Sequence, residues 1–375
     1  MAEYTLLYKR LSKNMLKKIY KLGALTMLKK HKEKEMLEHP LKEIVWECTL
    51  SCNAHCKHCS ANAESKKYPW ELSTQEIKDW FKQIAHDMDA SKIFINVTGW
   101  EPLFRKDLCE VMSYATNELG FNWWLATNGI LLNDENIEKL KKANLKTISI
   151  SIDWLGETHN EFRWVPNAYK TIIENIKKLK KANFVKIIQV TTVLNKNNIN
   201  QIEKLYNVML DLWIDSRRIM PMDPVGRANE HNDLFLDGIE IKKVLDFIKT
   251  KKNNKKMEVT YGCTGFLGLD YENEVRNYYF YCRTGINIAS ILYNWDLFVC
   301  PNIPRLKHLI QGNIKTDNFK DVRDNKYNEF RTINRTKCDH CEKCKFWDFC
   351  LGGSYHTWNP IEKKQNMCPY ELIYF

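Results

Sequence analysis

The stretch Ile44-Val45-Trp46-Glu47-Cys48-Thr49-Leu50-Ser51-Cys52-Asn53-Ala54-His55-Cys56-Lys57-His58-Cys59 decides the reading. Its first half, Ile44–Leu50, is apolar and β-branched, the pattern of a strand. Its second half sets three cysteines within eight residues, spaced C-x3-C-x2-C, directly after that strand. In parallel α/β sheets the chemistry gathers at the carboxyl ends of the strands, so the three thiols fall where a catalytic centre belongs. Three thiolates converging on a four-iron cluster leave one iron open to bind a further molecule. A structural zinc takes four ligands, and His55, His58 or Cys48 would complete that alternative.

Working outward, strand patterns recur at Ile44–Leu50, Lys92–Thr98, Phe121–Thr127, Lys146–Ile152, Lys186–Leu194 and Arg217–Met222. Helical periods lie between and after them, over Thr74–Met88, Arg105–Glu118, Asp134–Ala143, Asn167–Ala182, Asn198–Leu212 and Gly238–Lys251. Ser73 is placed to cap the first of these helices. Six strand–helix units in order imply a parallel sheet. They are too many for a small doubly wound domain and two short of a closed eight-fold barrel. The expected fold is therefore α/β, a partial (β/α)6 TIM-like barrel.

Beyond about residue 255 the period fades, and eight of the 13 cysteines lie between 263 and 368. Such a segment is held by metal rather than by a large apolar core. Three parts follow: a basic amphipathic N-terminal helix over 1–40, the barrel over 41–235, and a linker helix with a cysteine-rich module over 236–375. Residues 1–40 carry ten Lys or Arg and four Glu, with Leu7, Leu11, Met15, Ile19 and Leu22 at helical spacing. The expectation is that this apolar stripe packs on the main domain; the alternative is a helix on a membrane surface.

The 375 residues are 44% apolar and 27% charged, which excludes wholesale disorder. No apolar run suits a transmembrane helix, and the first residues lack the apolar stretch of an export signal. A net charge of +11 is modest for this length and argues against nucleic acid. Thirteen cysteines, an odd number at short spacings without an export signal, point to bound metal in a reducing cytoplasm.

Further motifs stand at the strand ends. Val97-Thr98-Gly99-Trp100-Glu101-Pro102 follows the second strand, Thr127-Asn128-Gly129 the third, and Ser149-Ile150-Ser151-Ile152-Asp153 closes the fourth, with Arg163 ten residues on. With C-x3-C-x2-C after the first strand, this series resembles the radical S-adenosylmethionine (SAM) superfamily. The resemblance implies that Cys52, Cys56 and Cys59 hold a [4Fe–4S] cluster whose open iron is chelated by S-adenosyl-L-methionine. One electron then cleaves SAM to methionine and a 5′-deoxyadenosyl radical, which abstracts a hydrogen atom from substrate. It also implies SAM contacts at Gly99, Glu101, Thr127, Asn128, Ser151, Asp153 and Arg163, with Glu101 accepting from the SAM ammonium. The Ser and Arg of the fourth segment would hold the carboxylate and ribose region. Trp100 stands where the family's GGEP motif has its second glycine; if that position needs a positive φ, Trp is strained there.

Cys341-x2-Cys344-x5-Cys350, followed by Cys368, resembles the SPASM extension of the same superfamily, which carries two auxiliary [4Fe–4S] clusters. The resemblance assigns Cys263, Cys282, Cys300 and Cys338 to one and Cys341, Cys344, Cys350 and Cys368 to the other. Cys48 and Cys109 remain, and both read as core. The family pattern has another cysteine at Ser354, and His356 is an outside candidate ligand. A zinc ribbon over Cys338–Cys350 is the alternative. Trp46–Thr49, Tyr261–Cys263, Cys282–Gly285 and Val299–Asn302 resemble a bacterial subgroup encoded beside small lipoproteins.

The implied function is radical modification of a peptide or small protein, with a reductant such as flavodoxin or ferredoxin as partner. Pro301 stands where sulfatase-maturing relatives carry a carboxylate, which disfavours formylglycine formation. The runner-up readings are a small-molecule radical SAM dehydrogenase and a non-catalytic iron–sulfur or zinc scaffold. Arg227, after the sixth strand, reads as an ordinary salt bridge or as a holder of substrate carboxylate.

Overall fold

The computed structural model describes residues 2–60, 71–332, 339–359, 362 and 364–375. Its centre is one ten-stranded sheet. The strands are β1 (Glu43–Glu47), β2 (Phe94–Thr98), β3 (Asn122–Thr127), β4 (Thr147–Ser151), β5 (Ile187–Leu194), β6 (Ser216–Pro221), β7 (Glu258–Tyr261), β8 (Ile288–Ile291), β9 (Asp296–Phe298) and β10 (Gly312–Asn313). Their order is β10-β9-β8-β1-β2-β3-β4-β5-β6-β7. All neighbours from β8 to β7 run parallel, while β9 and β10 add an antiparallel edge.

The helices up to residue 251 are α1 (Ala2–Glu38), α2 (Thr74–Asp87), α3 (Leu108–Ser113), α4 (Asp134–Lys142), α5 (Glu157–Arg163), α6 (Ala168–Ala182), α7 (Ile202–Asp211) and α8 (Gly238–Lys251), and short helices follow them. Ser73 caps α2 through a reciprocal box with Glu76. Period-2 alternation puts Trp46 and Cys48 on the face toward α2, where Trp46 meets Trp80 and Phe81 edge-on at 5.9 and 6.0 Å. Cys48 is buried in this core, and Cys109 packs against it.

All six expected strands are present, and the structure adds to them. β7 extends the sheet beside β6, and β8 pairs in parallel with the other side of β1. Strands that lie beyond residue 235 in the sequence thus join the same sheet. The first strand ends at Glu47 rather than Leu50, because the chain turns toward the loop after β2. The expected helix over 105–118 is broken into a turn at Pro102–Phe104, α3, and a π-helical stretch at Tyr114–Glu118. In that stretch Thr116 bonds back to the Met112 carbonyl at 2.9 Å, which bends a helix.

α1 is a helix as expected, but the buried face is another one. Met15, Ile19 and Leu22 are exposed, whereas Lys21, Leu25, Lys32 and Met36 are buried. Leu25 packs with Phe266, Tyr279 and Phe346. The lysines lay their apolar stems along the body and end on carbonyls, Lys21 on Leu269 and Lys32 on Phe349.

Candidate active site at the carboxyl edge of the sheet

The cysteine loop leaves β1 and is tied down by the loops of its neighbours. Cys48 N–H donates to the Thr98 carbonyl at 2.9 Å, Trp100 N–H to Thr49 at 3.2 Å, and Glu101 N–H to Ser51 at 3.1 Å. From the far side, His55 N–H donates to the Arg163 carbonyl at 3.0 Å. Arg227 closes the ring: its guanidinium donates to the Cys56 carbonyl at 2.8 Å and its own N–H to the Cys59 carbonyl at 2.9 Å. Neither sequence reading of Arg227 foresaw this clamp, which spans 171 residues.

Cys52, Cys56 and Cys59 line one cavity of about 220 Å³. Enclosure pushes the Cys52 thiol to about 12 and the Cys56 thiol to about 11, and each neighbouring thiol raises it further. Cys52 and Cys56 lose their protons together only against a positive centre. Among the described residues no three Cys, His, Asp or Glu side chains converge on a single metal ion. The thiols instead ring a space, which fits a cluster-sized group. The zinc alternative also lacks its histidines. His58 stacks on Phe162 at 5.0 Å and lies 3.7 Å from Asp153, and His55 leans on Trp164. Burial lowers His58 to about 4, so the ring is neutral.

The loop after β2 depends on Gly99. Its φ is +120°, and a Cβ there would stand 2.6 Å from the Thr49 carbonyl oxygen. The positive φ falls on Gly99 and not on Trp100, so the tryptophan is unstrained. Its ring forms a wall of the cysteine cavity.

Glu101 lies behind that wall. It is fully buried; the Thr127 hydroxyl stands 2.8 and 3.0 Å from its oxygens, and the N–H groups of Asn128 and Leu103 donate at 2.7 and 3.1 Å. Burial outweighs these bonds and raises the carboxyl to about 7. Gly99, Glu101, Thr127 and Asp153 shape the cavity from behind, whereas Asn128, Ser151 and Arg163 line it. Asn128 is oriented by a 2.7 Å bond to Asn53 of the cysteine loop.

Asp153 explains the position of Arg163. Its Oδ2 accepts from Arg163 Nη2 at 2.6 Å and Nε at 3.0 Å, and its Oδ1 from Val193 N–H at 2.9 Å. Burial works against this carboxylate, but Arg163 prevails and holds it at about 2. The charged pair is hidden from water and aims the guanidinium into the cavity beside the thiols.

Cys341, Cys344, Cys350 and Cys368 line a second cavity of about 440 Å³ with Phe266 and Tyr370. Cys263, Cys282 and Cys300 form a third group, each close enough to raise the next thiol. Cys338 lies outside the described residues. Ser354 donates to the Cys263 carbonyl at 2.9 Å.

His356 belongs to neither group. Its Nε2 stands 3.1 Å from Asp223 Oδ2, and both residues line the first cavity. A lone histidine 133 residues from its partner carries no sequence signal. Likewise Glu47, buried at the end of β1, pairs with Arg305.

Residues 46–209 match the Radical SAM superfamily. The chain is 26% identical over 347 residues to the AdoMet-dependent heme synthase of Methanosarcina barkeri, covering 87% of this chain and 96% of that one. It is 26% identical over 334 residues to the mycofactocin maturase MftC of Mycolicibacterium smegmatis, covering 87% and 82%. In fold it is similar to Streptococcus suis SuiB bound to precursor peptide SuiA, with a TM-score of 0.66, 21% identity, and coverage of 86% and 74%. A thiol-ringed cavity at the carboxyl edge of a parallel sheet lies inside the matched segment, and that superfamily uses SAM and a [4Fe–4S] cluster: the chain carries a radical SAM domain over residues 46–209 and is an enzyme.

Proposed function

We propose that this radical SAM enzyme modifies a peptide or small protein. One observation carries the proposal: the cysteine cavity shares Ser60, Val225 and His356 with a second space of about 630 Å³, lined also by Tyr293, Arg305 and Trp358. A side chain on a peptide backbone fits such a stepped cavity, its reacting carbon in the inner chamber. Likeness to mycofactocin maturase and to a peptide-bound fold relative supports the same reading.

Bound at a cluster held by Cys52, Cys56 and Cys59, SAM would supply the radical chemistry for hydrogen abstraction from substrate. The chain's residues do the rest. Cys52, Cys56 and Cys59 hold the cluster, and Arg227 fixes the carbonyls of the last two. Arg163, locked by Asp153, offers a planar donor to the SAM carboxylate. Asn128 and Ser151 supply hydrogen bonds along the same wall, and Gly99 and Glu101 hold the loop behind it. Trp100 excludes water. His356, oriented by Asp223, meets substrate from the shared wall.

Cys341, Cys344, Cys350 and Cys368 hold one auxiliary cluster. Cys263, Cys282 and Cys300, with Cys338, hold the other. Such clusters would supply a path for electrons from a reductant of the flavodoxin or ferredoxin class in the cytoplasm. Likeness to heme synthases, at 26 and 28% identity, favours a second reading in which the stepped cavity takes a small molecule. The test offers the reconstituted, reduced enzyme a deuterated peptide encoded beside its gene, or a deuterated porphyrin. Deuterium in 5′-deoxyadenosine and a mass change in the peptide alone support the peptide reading; label from the porphyrin alone overturns it.

A further inference from the structure

We propose that the N-terminal half of α1 is a docking surface for an anionic membrane, on which it lies flat. The observation is an apolar helix face left exposed among the described residues. Met15, Leu16, Ile19, Tyr20, Leu22 and Met27 are all exposed, between 41 and 76%. Six large apolar side chains within thirteen residues of one helix are far beyond the scattered apolar residues of an ordinary surface.

Helical geometry groups them. Positions 15, 19 and 22 stack on one line, and 16, 20 and 27 run beside it. The face that seats α1 on the body is a different one. It begins at Lys21, which reaches the Leu269 carbonyl and Glu274, and continues through Leu25, Lys32 and Met36. Thus the helix uses one side to hold the protein and offers the other outward.

Charge selects the occupant. Residues 1–22 contain six Lys or Arg and a single Glu. Two copies of so basic a segment repel each other, whereas an anionic lipid surface attracts each cation. Apolar side chains flanked by lysines are the composition that buries one face among acyl chains and leaves the cations at the headgroups. A spanning arrangement does not apply: among the described residues no helix is long and apolar enough to cross a membrane.

The proposal stands apart from the choice of substrate, and its test uses the full-length holoenzyme. Vesicles of phosphatidylcholine alone, or mixed with phosphatidylglycerol, are floated through a density gradient with the protein at low and high salt. The expected result is flotation with the phosphatidylglycerol vesicles and release by salt. Met15→Glu/Ile19→Glu lowers the bound fraction about tenfold, while uncoupled SAM cleavage and cluster absorbance stay at the wild-type level. The proposal is overturned if the protein fails to float, floats equally with neutral vesicles, or floats undiminished in the double variant. It is equally overturned if sedimentation shows a dimer in solution that the double substitution dissociates, since the face then belongs to a second copy.

Discussion

The Asp153–Arg163 pair makes a quantitative demand on the protein. Asp153 is fully buried and Arg163 nearly so, with nitrogen–oxygen distances of 2.6 and 3.0 Å. The carboxyl drops from an ordinary 3.8 to about 2 in the folded chain, against its own burial and through Arg163. At 1.36 kcal/mol per unit this difference contributes about 2–3 kcal/mol to folding. Because the folded value is the lower one, the contribution is complete above about pH 4 and is lost as pH falls through about 2. Asp153→Asn removes it at neutral pH and leaves a buried guanidinium without its counter-charge, a loss of about 3–5 kcal/mol. The melting temperature of the holoenzyme, followed anaerobically by circular dichroism at pH 7, should fall by about 5 °C or more. The unaimed Arg163 should also raise the SAM concentration needed for half-maximal cleavage by about tenfold. Arg163→Lys keeps the charge but loses the planar fork, so it should retain most of the stability and lose the SAM affinity. An Asp153→Asn enzyme that melts with the wild type and cleaves SAM at the same half-saturation refutes this account of the pair.

Other outcomes follow from the loops around the cysteines. Gly99→Ala forces a Cβ to 2.6 Å from the Thr49 carbonyl at φ +120°, about 1–3 kcal/mol of strain placed on the cysteine loop; less iron should remain after anaerobic purification, whereas Trp100→Gly should retain its iron. Arg227→Met frees the Cys56 and Cys59 carbonyls, and loss of iron to a chelator, followed by absorbance, should accelerate about tenfold. His356→Ala should leave uncoupled SAM cleavage unchanged and lower product formation at least about tenfold, read by mass spectrometry of the modified peptide.

The sequence made the first six strands readable because each carries an alternating or β-branched run followed by a helical period. It made the cysteine triad readable because three ligands within eight residues need no tertiary knowledge. β7 and β8 were hidden: each is four residues long, with no amphipathic helix after it to declare a parallel unit. Arg227 and His356 were singled out without the roles they show, and Asp223 went unnoticed, for a different reason. Their meaning lies in partners 171 and 133 residues away, and spacing says nothing about such pairs. At Trp100 the sequence posed the right question, and backbone geometry answered it by putting the positive φ one residue earlier. In α1 the apolar period named the secondary structure correctly but the wrong seat, because lysine stems cover the body while Met15 and Ile19 face outward.

Formation of 5′-deoxyadenosine by the anaerobically reconstituted, dithionite-reduced enzyme tests the central claim most directly, with wild type and Cys56→Ala compared side by side. The account predicts SAM-dependent 5′-deoxyadenosine from the wild type, none above the chemical background from the variant, and about four fewer irons per variant chain. Appreciable product from Cys56→Ala, or zinc in place of iron in the wild type, would contradict it.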